Sequence, residues 1–160
     1  MPRVLMVCTG NICRSFMAEV VLADAARRAG RPDIEVDSVG VSDEEEGNGP
    51  DRRAVRVLRE AGYAVPPHRA RQISRGDLTQ SDLVLAMTDG HYRALRRLAE
   101  RLGLSDAQAP RIAMYRDWDP QGSGNVPDPW YGDMDDFVDT LDCVERVTPA
   151  LLAALGGDVS

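Results

Sequence analysis

Short apolar runs alternate along the chain with longer segments of helical periodicity. In the segment after the first run, Met17, Val20, Val21 and Ala25 share one helical face, and Gly30 follows them. The apolar runs predict strands at Arg3–Val7, Ile34–Val39, Leu83–Met87 and Arg111–Tyr115. The periodic segments predict helices at Ser15–Ala29, Asp51–Ala61 (with Asp51 as the cap), Asp89–Leu102 and Met134–Leu155, and one helical turn at Gly76–Gln80.

Strands that alternate with helices predict an α/β fold with a parallel sheet covered on both faces. In such folds a ligand binds at the carboxyl ends of the strands, where the strand order reverses. The loop after the first strand is therefore the first place to expect a site. Pro149 lies inside the last helical pattern, so we expect a kink or a break there.

The composition is that of a soluble globular protein. With 160 residues, 43% of them hydrophobic and 28% charged, we expect one domain spanning residues 1–160. The net charge of -7 argues against a nucleic-acid partner. No apolar run approaches the roughly 20 residues of a membrane helix, and none resembles a signal peptide. Three cysteines, an odd number, favour a reducing, cytoplasmic location.

The stretch VCTGNICRS joins the first strand to the first helix. At such a junction, unpaired backbone N–H groups and the helix dipole favour an anion. Gly10 and Asn11 suit a loop that turns N–H groups inward, and Arg14 adds a planar set of donors that suits phosphate. No G-K-[S/T] motif follows, so this is not a nucleoside triphosphate loop. The pattern predicts an oxyanion cradle.

A nucleophile and an acid accompany the predicted cradle. Cys8 stands at the strand end, where a positive field favours a thiolate, which is a nucleophile toward bound phosphorus. Ser15 lies where its hydroxyl can hydrogen-bond the sulfur. Displacing phosphate from an ester also needs an acid for the leaving oxygen. The candidate acid is Asp128 in VPDPWYGD, where Trp130 and Tyr131 can wall a site for a flat ring.

These motifs resemble those of the low-molecular-weight protein tyrosine phosphatases over nearly the whole chain. The matching stretches are VCTGNICRS with MAE, VDSVG, HRARQIS, DLVLAM and VPDPWYGD. The resemblance implies a three-layer sandwich with a four-stranded parallel sheet in the order 2-1-3-4. It implies hydrolysis of protein phosphotyrosine without metal or cofactor, inhibition by phosphate or vanadate, no membrane partner, and a monomer or weak dimer.

The resemblance also assigns catalytic roles. Cys8 would be the nucleophile that forms a phosphocysteine, and Arg14 would bind the phosphoryl oxygens and stabilise the transition state. Asp128 would protonate the leaving group and then activate water, while Ser15 assists the thiolate. The expected substrate-binding residues are Thr9, Gly10, Asn11, Ile12, Cys13, Ser15, Glu44, Trp130 and Tyr131.

Supporting residues follow from the same resemblance. Asn11, Ser38 and His68 match the polar network that holds the loop in the family. Cys13 matches a second loop cysteine, which can form a reversible disulfide with the nucleophile and shield it from over-oxidation. Cys143, on the final helix, is expected in the core.

Three positions depart from the family pattern. Phe16 stands where Pro is usual, and we expect it to change local packing. Thr88 stands where Asp usually supports the catalytic arginine, which would then be held less firmly. Glu44 replaces an aromatic residue on the rim, so we expect a weaker grip on phosphotyrosine and repulsion of acidic peptides. Glu45 and Glu46 are expected to be solvated loop residues.

Other functions stay open at this point. Arsenate reduction on the same scaffold needs resolving cysteines, and none lies between Cys13 and Cys143. Similar proteins that prefer phosphoarginine carry Thr at the position of Ile12, whose apolar side chain favours tyrosine. A non-catalytic phosphate-binding module needs neither a nucleophile nor an acid.

Some polar residues outside these motifs are interpreted as structural. His91 is expected to be an exposed helix residue rather than a catalytic base. The arginines of residues 92–101 are expected to form a solvated helix face rather than a binding patch.

Overall fold

The computed structural model describes residues 2–156, in which strands and helices alternate as the sequence pattern predicts. The strands are β1 (Arg3–Cys8), β2 (Glu35–Gly40), β3 (Leu83–Ala86) and β4 (Arg111–Met114). The helices are α1 (Arg14–Arg28), α2 (Arg52–Glu60), α3 (Arg75–Gln80), α4 (Asp89–Arg101) and α5 (Met134–Gly156). A 3-10 turn at Tyr115–Trp118 follows β4, so Tyr115, the predicted end of the fourth strand, lies outside it.

The strands form one parallel sheet in the order β2-β1-β3-β4, as expected. In its pairing with β2, Cys8 of β1 lies opposite Gly40, and in its pairing with β3, Val7 lies opposite Ala86. The chain passes from β1 to β2 on one side and then crosses to β3 on the other. The strand order therefore reverses beside β1, and the carboxyl end of β1 lies where such sheets bind ligands.

The central strand is buried on both faces, because its alternate side chains belong to different hydrophobic clusters. Val4 and Met6 pack with residues of α1, α2 and α5, whereas Leu5 and Val7 pack on the side of α3 and α4. A continuous apolar run is typical of a parallel strand with helices on both sides. The three-layer sandwich is therefore confirmed. Within residues 2–156, no helix is long and apolar enough to cross a membrane.

Helix α5 continues through Pro149, so of the kink or break expected there, the break is wrong. Val147, Thr148 and Leu151 around the proline are buried, and this packing keeps the segment helical. The Thr148 hydroxyl also donates to the carbonyl oxygen of Val144 at 2.7 Å. A proline removes one backbone hydrogen bond, but the buried face of the helix holds the segment in place.

A buried carboxylate fastens the long loop after β4 to α5. Both oxygens of Asp119 accept hydrogen bonds from Arg146 at 2.8 Å, and Arg116 Nε donates to Asp119 Oδ2 at 2.8 Å. The hydrogen bonds from Arg146, followed by those from the Gln121 backbone and Arg116, hold the pKa of Asp119 well below its usual range. Because the same loop carries Asp128, this anchor helps to place the candidate acid.

We expect Asp119→Ala to lower the free energy of unfolding by about 3 kcal/mol at neutral pH, because two arginines lose their buried partner. A lowered pKa contributes stability that is fully present above the unfolded value near 3.9, and that contribution decreases progressively as the pH falls from there towards the folded pKa. Urea denaturation at pH 7 and at pH 3.5 measures both effects. The exposed Asp106→Ala serves as the control, and equal stability of the two variants at pH 7 would contradict the expectation.

Candidate active site

The loop at residues 9–13, between β1 and α1, forms the floor of a cleft at the carboxyl edge of the sheet. The backbone N–H groups of Val41 and Ser42 donate to the carbonyl oxygens of Cys8 and Thr9 at 2.9 and 3.0 Å. Gly40 permits this approach, since a Cβ there would lie 2.6 Å from the Thr9 carbonyl oxygen. The N–H groups of residues 10–13 have no acceptor within residues 2–156, so they are available to an anion.

Asn11 holds the shape of this loop. Its backbone is in the left-handed region, with a φ of 62°. Its amide nitrogen donates to Ser15 Oγ at 3.0 Å and to Ser38 Oγ at 2.9 Å, and its side-chain oxygen accepts from the Arg71 backbone at 3.1 Å. His68 Nε2 lies 2.7 Å from the Asn11 carbonyl oxygen. The loop is therefore tied to β2 and to the segment before α3.

The sulfur of Cys8 lies 3.0 Å from Ser15 Oγ, and both residues are buried. Because Ser15 Oγ accepts a hydrogen bond from the Asn11 amide, the serine's own proton is free to point at the sulfur. A donated hydrogen bond stabilises negative charge on Sγ, which a cysteine nucleophile carries when it attacks and again when it leaves.

Arg14 begins α1 and connects the cradle to the candidate acid. Its side chain is 7% exposed, Nη1 donates to the Val126 carbonyl oxygen at 3.3 Å, and Nη2 lies 3.4 Å from Asp128 Oδ2. The Val126 backbone N–H donates to the carbonyl oxygen of Met87, directly after β3, at 2.8 Å. The segment that carries Asp128 is therefore anchored to the same edge of the sheet as the cradle.

These residues enclose a cleft of about 240 Å³. The Asp128 side chain is 51% exposed, and its Oδ1 accepts from the Trp130 backbone at 3.0 Å. The cleft brings together all but Asn11 and Ser15 of the residues predicted to contact substrate or do chemistry, and those two lie behind the loop. The lining residues are Cys8, Thr9, Gly10, Ile12, Cys13, Arg14, Glu44, Glu45, Asp128, Trp130 and Tyr131.

Residues 3–160 match the family model described as low molecular weight phosphotyrosine protein phosphatase. The chain belongs to this family. A low molecular weight protein-tyrosine-phosphatase of Streptomyces coelicolor is 43% identical over 157 residues, which cover 96% of this chain and 93% of that protein. The chain is accordingly an enzyme of the protein-tyrosine-phosphatase class, a phosphoric monoester hydrolase.

Solved structures of phosphatases share the fold. A protein tyrosine phosphatase of Entamoeba histolytica, with Hepes in its active site, is 26% identical with a TM-score of 0.89, and the match covers 100% of both chains. The YwlE arginine phosphatase, solved as a mutant with a phosphorylated active site serine, is 29% identical with a TM-score of 0.84. That match covers 98% of this chain and 97% of the other.

The acidic rim departs from the aromatic wall expected for the phosphatase family. Glu44 lines the cleft and its side chain is exposed, and Glu46 is exposed as expected. Glu45 is not a freely solvated loop residue, so that expectation is wrong. A Cβ at residue 10 would lie 3.0 Å from Glu45 Cγ, and Asn48 Nδ2 donates to Glu45 Oε2 at 2.8 Å. Glu45 folds over Gly10 because that residue has no side chain to exclude it.

His91 is buried at 7% exposure, so its prediction as an exposed helix residue is wrong. It lies in the first turn of α4, directly behind the cradle, and its Nε2 is 2.8 Å from Thr9 Oγ1. Burial, with a smaller contribution from Arg14, lowers the pKa of His91 to about 4, so the ring is neutral at physiological pH. The position of His91 shortly after β3, at the same sheet edge as the cradle, could have indicated this closeness. The helical pattern alone did not.

The remaining departures are accommodated by packing. Phe16 is fully buried and stacks on the His68 ring with centroids 4.3 Å apart, as the packing prediction requires. Thr88 caps α4, accepting from the His91 backbone at 3.2 Å.

Cys143 is buried in the core, as expected. Burial, followed by the charge of Cys8, raises the pKa of Cys13 well above its usual range.

The polar network behind the loop ends on a carboxyl group that the sequence motifs did not single out. Ser38 Oγ donates to Glu19 Oε1 at 2.5 Å, and Ser38 in turn accepts from Asn11. Burial raises the pKa of Glu19 to about 7, against the opposing effect of the Ser38 hydrogen bond. The folded protein therefore holds a proton on Glu19 at pH values where the unfolded chain has lost it.

We expect the contribution of Glu19 to the free energy of unfolding to fall as the pH rises from about 4.5 to about 7. A raised acid pKa favours the folded state only while the proton stays bound. Glu19→Gln keeps an acceptor for Ser38 and carries no charge at any pH. Its stability relative to the wild type should therefore be higher at pH 8 than at pH 5, as measured by urea denaturation. A difference that does not change with pH would contradict this, and the exposed Glu100→Gln is the control.

Proposed function

We propose that this chain hydrolyses phosphomonoesters, above all phosphotyrosine in proteins, through a phosphocysteine on Cys8. The observation that carries the proposal is the contact of 3.0 Å between Cys8 Sγ and Ser15 Oγ, at the floor of a cleft that also holds Arg14 and Asp128. The phosphorylated active site serine of the YwlE mutant supports a covalent intermediate in a related protein. A site that only bound phosphate would have no use for a nucleophile beside an acid.

In the first step, the Cys8 thiolate attacks phosphorus as the bond to the leaving oxygen breaks. The unpaired N–H groups of residues 10–13 and the Arg14 guanidinium stabilise the charge on the equatorial oxygens. Asp128, at the open side of the cleft, gives its proton to the leaving oxygen, so the alcohol or phenol departs neutral. The products of this step are the free alcohol and a phosphorylated Cys8.

In the second step, water attacks the phosphocysteine while the Asp128 carboxylate accepts its proton. The bond between sulfur and phosphorus breaks, and the electron pair returns to Sγ. The Ser15 hydroxyl stabilises the sulfur as it leaves by donating a hydrogen bond to Sγ, since the Asn11 amide donates to Ser15 Oγ and leaves the serine proton free. Inorganic phosphate is released, and Asp128 regains the proton needed for the next turnover.

Tyrosine is favoured over arginine as the phosphorylated residue. The apolar side chain of Ile12 and the ring of Trp130 line the cleft and suit an aromatic substrate. The relative named protein-tyrosine-phosphatase is 43% identical, against 29% for the arginine phosphatase. Parallel assays with a phosphotyrosine peptide and a phosphoarginine peptide decide between the two, and faster turnover of phosphoarginine would reverse the assignment.

Regulation and cellular context complete the proposal. Cys8 and Cys13 line the same cleft and are both free, so oxidation would join them in a reversible disulfide that protects the nucleophile. The free cysteines also support a cytoplasmic location. A single domain over residues 1–160, a monomer or weak dimer, and the absence of nucleic-acid and membrane partners stay predictions.

Hydrolysis of p-nitrophenyl phosphate without added metal tests the mechanism. We expect Cys8→Ser to abolish turnover, Asp128→Ala to lower it by about 10²–10⁴-fold, and vanadate to compete with substrate. Cys143→Ala and the exposed Asp106→Ala are matched controls and should keep the wild-type rate. A folded wild type without turnover, or an active Cys8→Ser, would sink the proposal.

Restoring an aromatic residue on the rim tests the role of Glu44. We expect Glu44→Tyr to lower the KM for aryl phosphates about two- to tenfold, because a ring over the substrate contributes roughly 0.5–1.5 kcal/mol. Glu46→Tyr, at an exposed position outside the cleft, is the matched control and should leave the KM unchanged. An unchanged KM in both variants would show that residue 44 has no part in substrate choice.

A further inference from the structure

Arg53, in the first turn of α2, contacts the segment that follows the candidate acid. Its Nη1 donates to the Gly132 carbonyl oxygen and its Nη2 to the Trp130 carbonyl oxygen, both at 3.2 Å. Its guanidinium carbon lies 5.7 Å from the Trp130 ring centroid and 4.5 Å from that of Phe137. One cationic side chain therefore binds the backbone of the acid loop and packs against rings of that loop and of α5.

Asp51 connects the same arginine to the cradle. Its carboxylate accepts from Arg53 Nε at 3.2 Å and from Nη2 at 3.1 Å, and it caps α2 through the Arg53 backbone at 2.8 Å. The Asp51 backbone N–H donates to the Ile12 carbonyl oxygen in the cradle at 2.8 Å. The side chain of Asp51 is 8% exposed, so little water competes for these contacts. Asp51 and Arg53 form a continuous bridge from the nucleophile loop to the acid loop.

The bridge holds the side of the acid loop downstream of Asp128, at Trp130 and Gly132. Upstream of Asp128, the Val126 N–H donates to Met87, and the Thr140 hydroxyl donates to the Pro127 carbonyl oxygen at 3.3 Å. Downstream, the Trp130 N–H donates to Asp128 Oδ1, and the carbonyl oxygen of the same residue is the one that Arg53 binds. A shift of this residue moves the acid with it.

We propose that Arg53 is a positioning residue for the general acid: it fixes the Asp128 carboxyl group relative to the Cys8 sulfur through the Asp51 bridge. This inference rests on the proposed phosphatase function. Arg53 does not line the cleft, so it acts on the reaction only through the loop that it holds. Its loss should therefore weaken protonation of the leaving group while leaving the phosphate cradle intact.

The dependence of kcat/KM on the leaving group separates this role from a general structural one. Phenolate is a poorer leaving group than p-nitrophenolate and depends more on a placed acid. In Arg53→Ala, we expect the ratio of kcat/KM for p-nitrophenyl phosphate to that for phenyl phosphate to rise about tenfold. Arg52→Ala, at an exposed neighbouring position of α2, is the matched control and should keep the wild-type ratio. The Kd for vanadate should stay within about twofold.

Further variants keep the test decisive. Arg53→Lys retains the charge but not the planar set of donors, so its ratio should lie between those of the wild type and Arg53→Ala. In an Asp128→Ala background, Arg53→Ala should not raise the ratio further, because the acid that it positions is gone. If Arg53→Ala does not fold, Arg53→Gln is measured in its place.

Several results would overturn the inference. They are an unchanged ratio, an equal loss with both substrates, a further rise of the ratio in the Asp128→Ala background, and a large loss of vanadate affinity. A folded wild type that turns over neither substrate would instead overturn the proposed function, and this inference with it. If the wild type turns over both substrates and the ratio is unchanged in Arg53→Ala, only the role of Arg53 is rejected and the proposed function stands.

Discussion

An anion cradle made of backbone has to leave its N–H groups unpaired while every other polar group of the loop finds a partner. Asn11 meets most of that demand. Its left-handed backbone turns the loop, its side-chain amide reaches Ser15 and Ser38, and its carbonyl oxygen is held by His68. Because the same amide nitrogen donates to the Ser15 oxygen, it leaves the serine proton free for the nucleophile. The shape of the loop and its chemistry thus depend on one residue.

The parts of the molecule that follow from local pattern could be predicted from the sequence. The run around Val4 to Val7 is apolar on both faces because the strand is covered on both faces, and the cradle motif follows it directly. The continuity of α5 through Pro149 could not be predicted, because burial of Val147 and Leu151 holds the helix and is invisible to local rules. Tyr115 belongs to a 3-10 turn for the same kind of reason, since its ring is buried against α5.

The residues of the candidate site also divide into those that a local motif predicts and those that it does not. Cys8, Arg14 and Asp128 belong to recognisable motifs, and the cleft brings them together. His91, Glu45 and Arg53 belong to no such motif, because each is defined by a neighbour distant in sequence. His91 meets Thr9 across the sheet edge, and Arg53 meets a loop more than seventy residues away. Contacts of this kind depend on how loops pack on the finished sheet, and a single sequence carries no periodic signal for them.

The close approach at Gly40 links the pairing of strands to the presence of a site. Cys8 lies opposite Gly40 in the sheet, and only a residue without Cβ fits against the Thr9 carbonyl oxygen. A slip of β2 by one residue would bring Val39 or Val41 to that position, and either side chain would collide with the loop. A chain folded in the wrong register therefore cannot form the cleft, so a molecule with an open cradle has also assembled its central strands correctly.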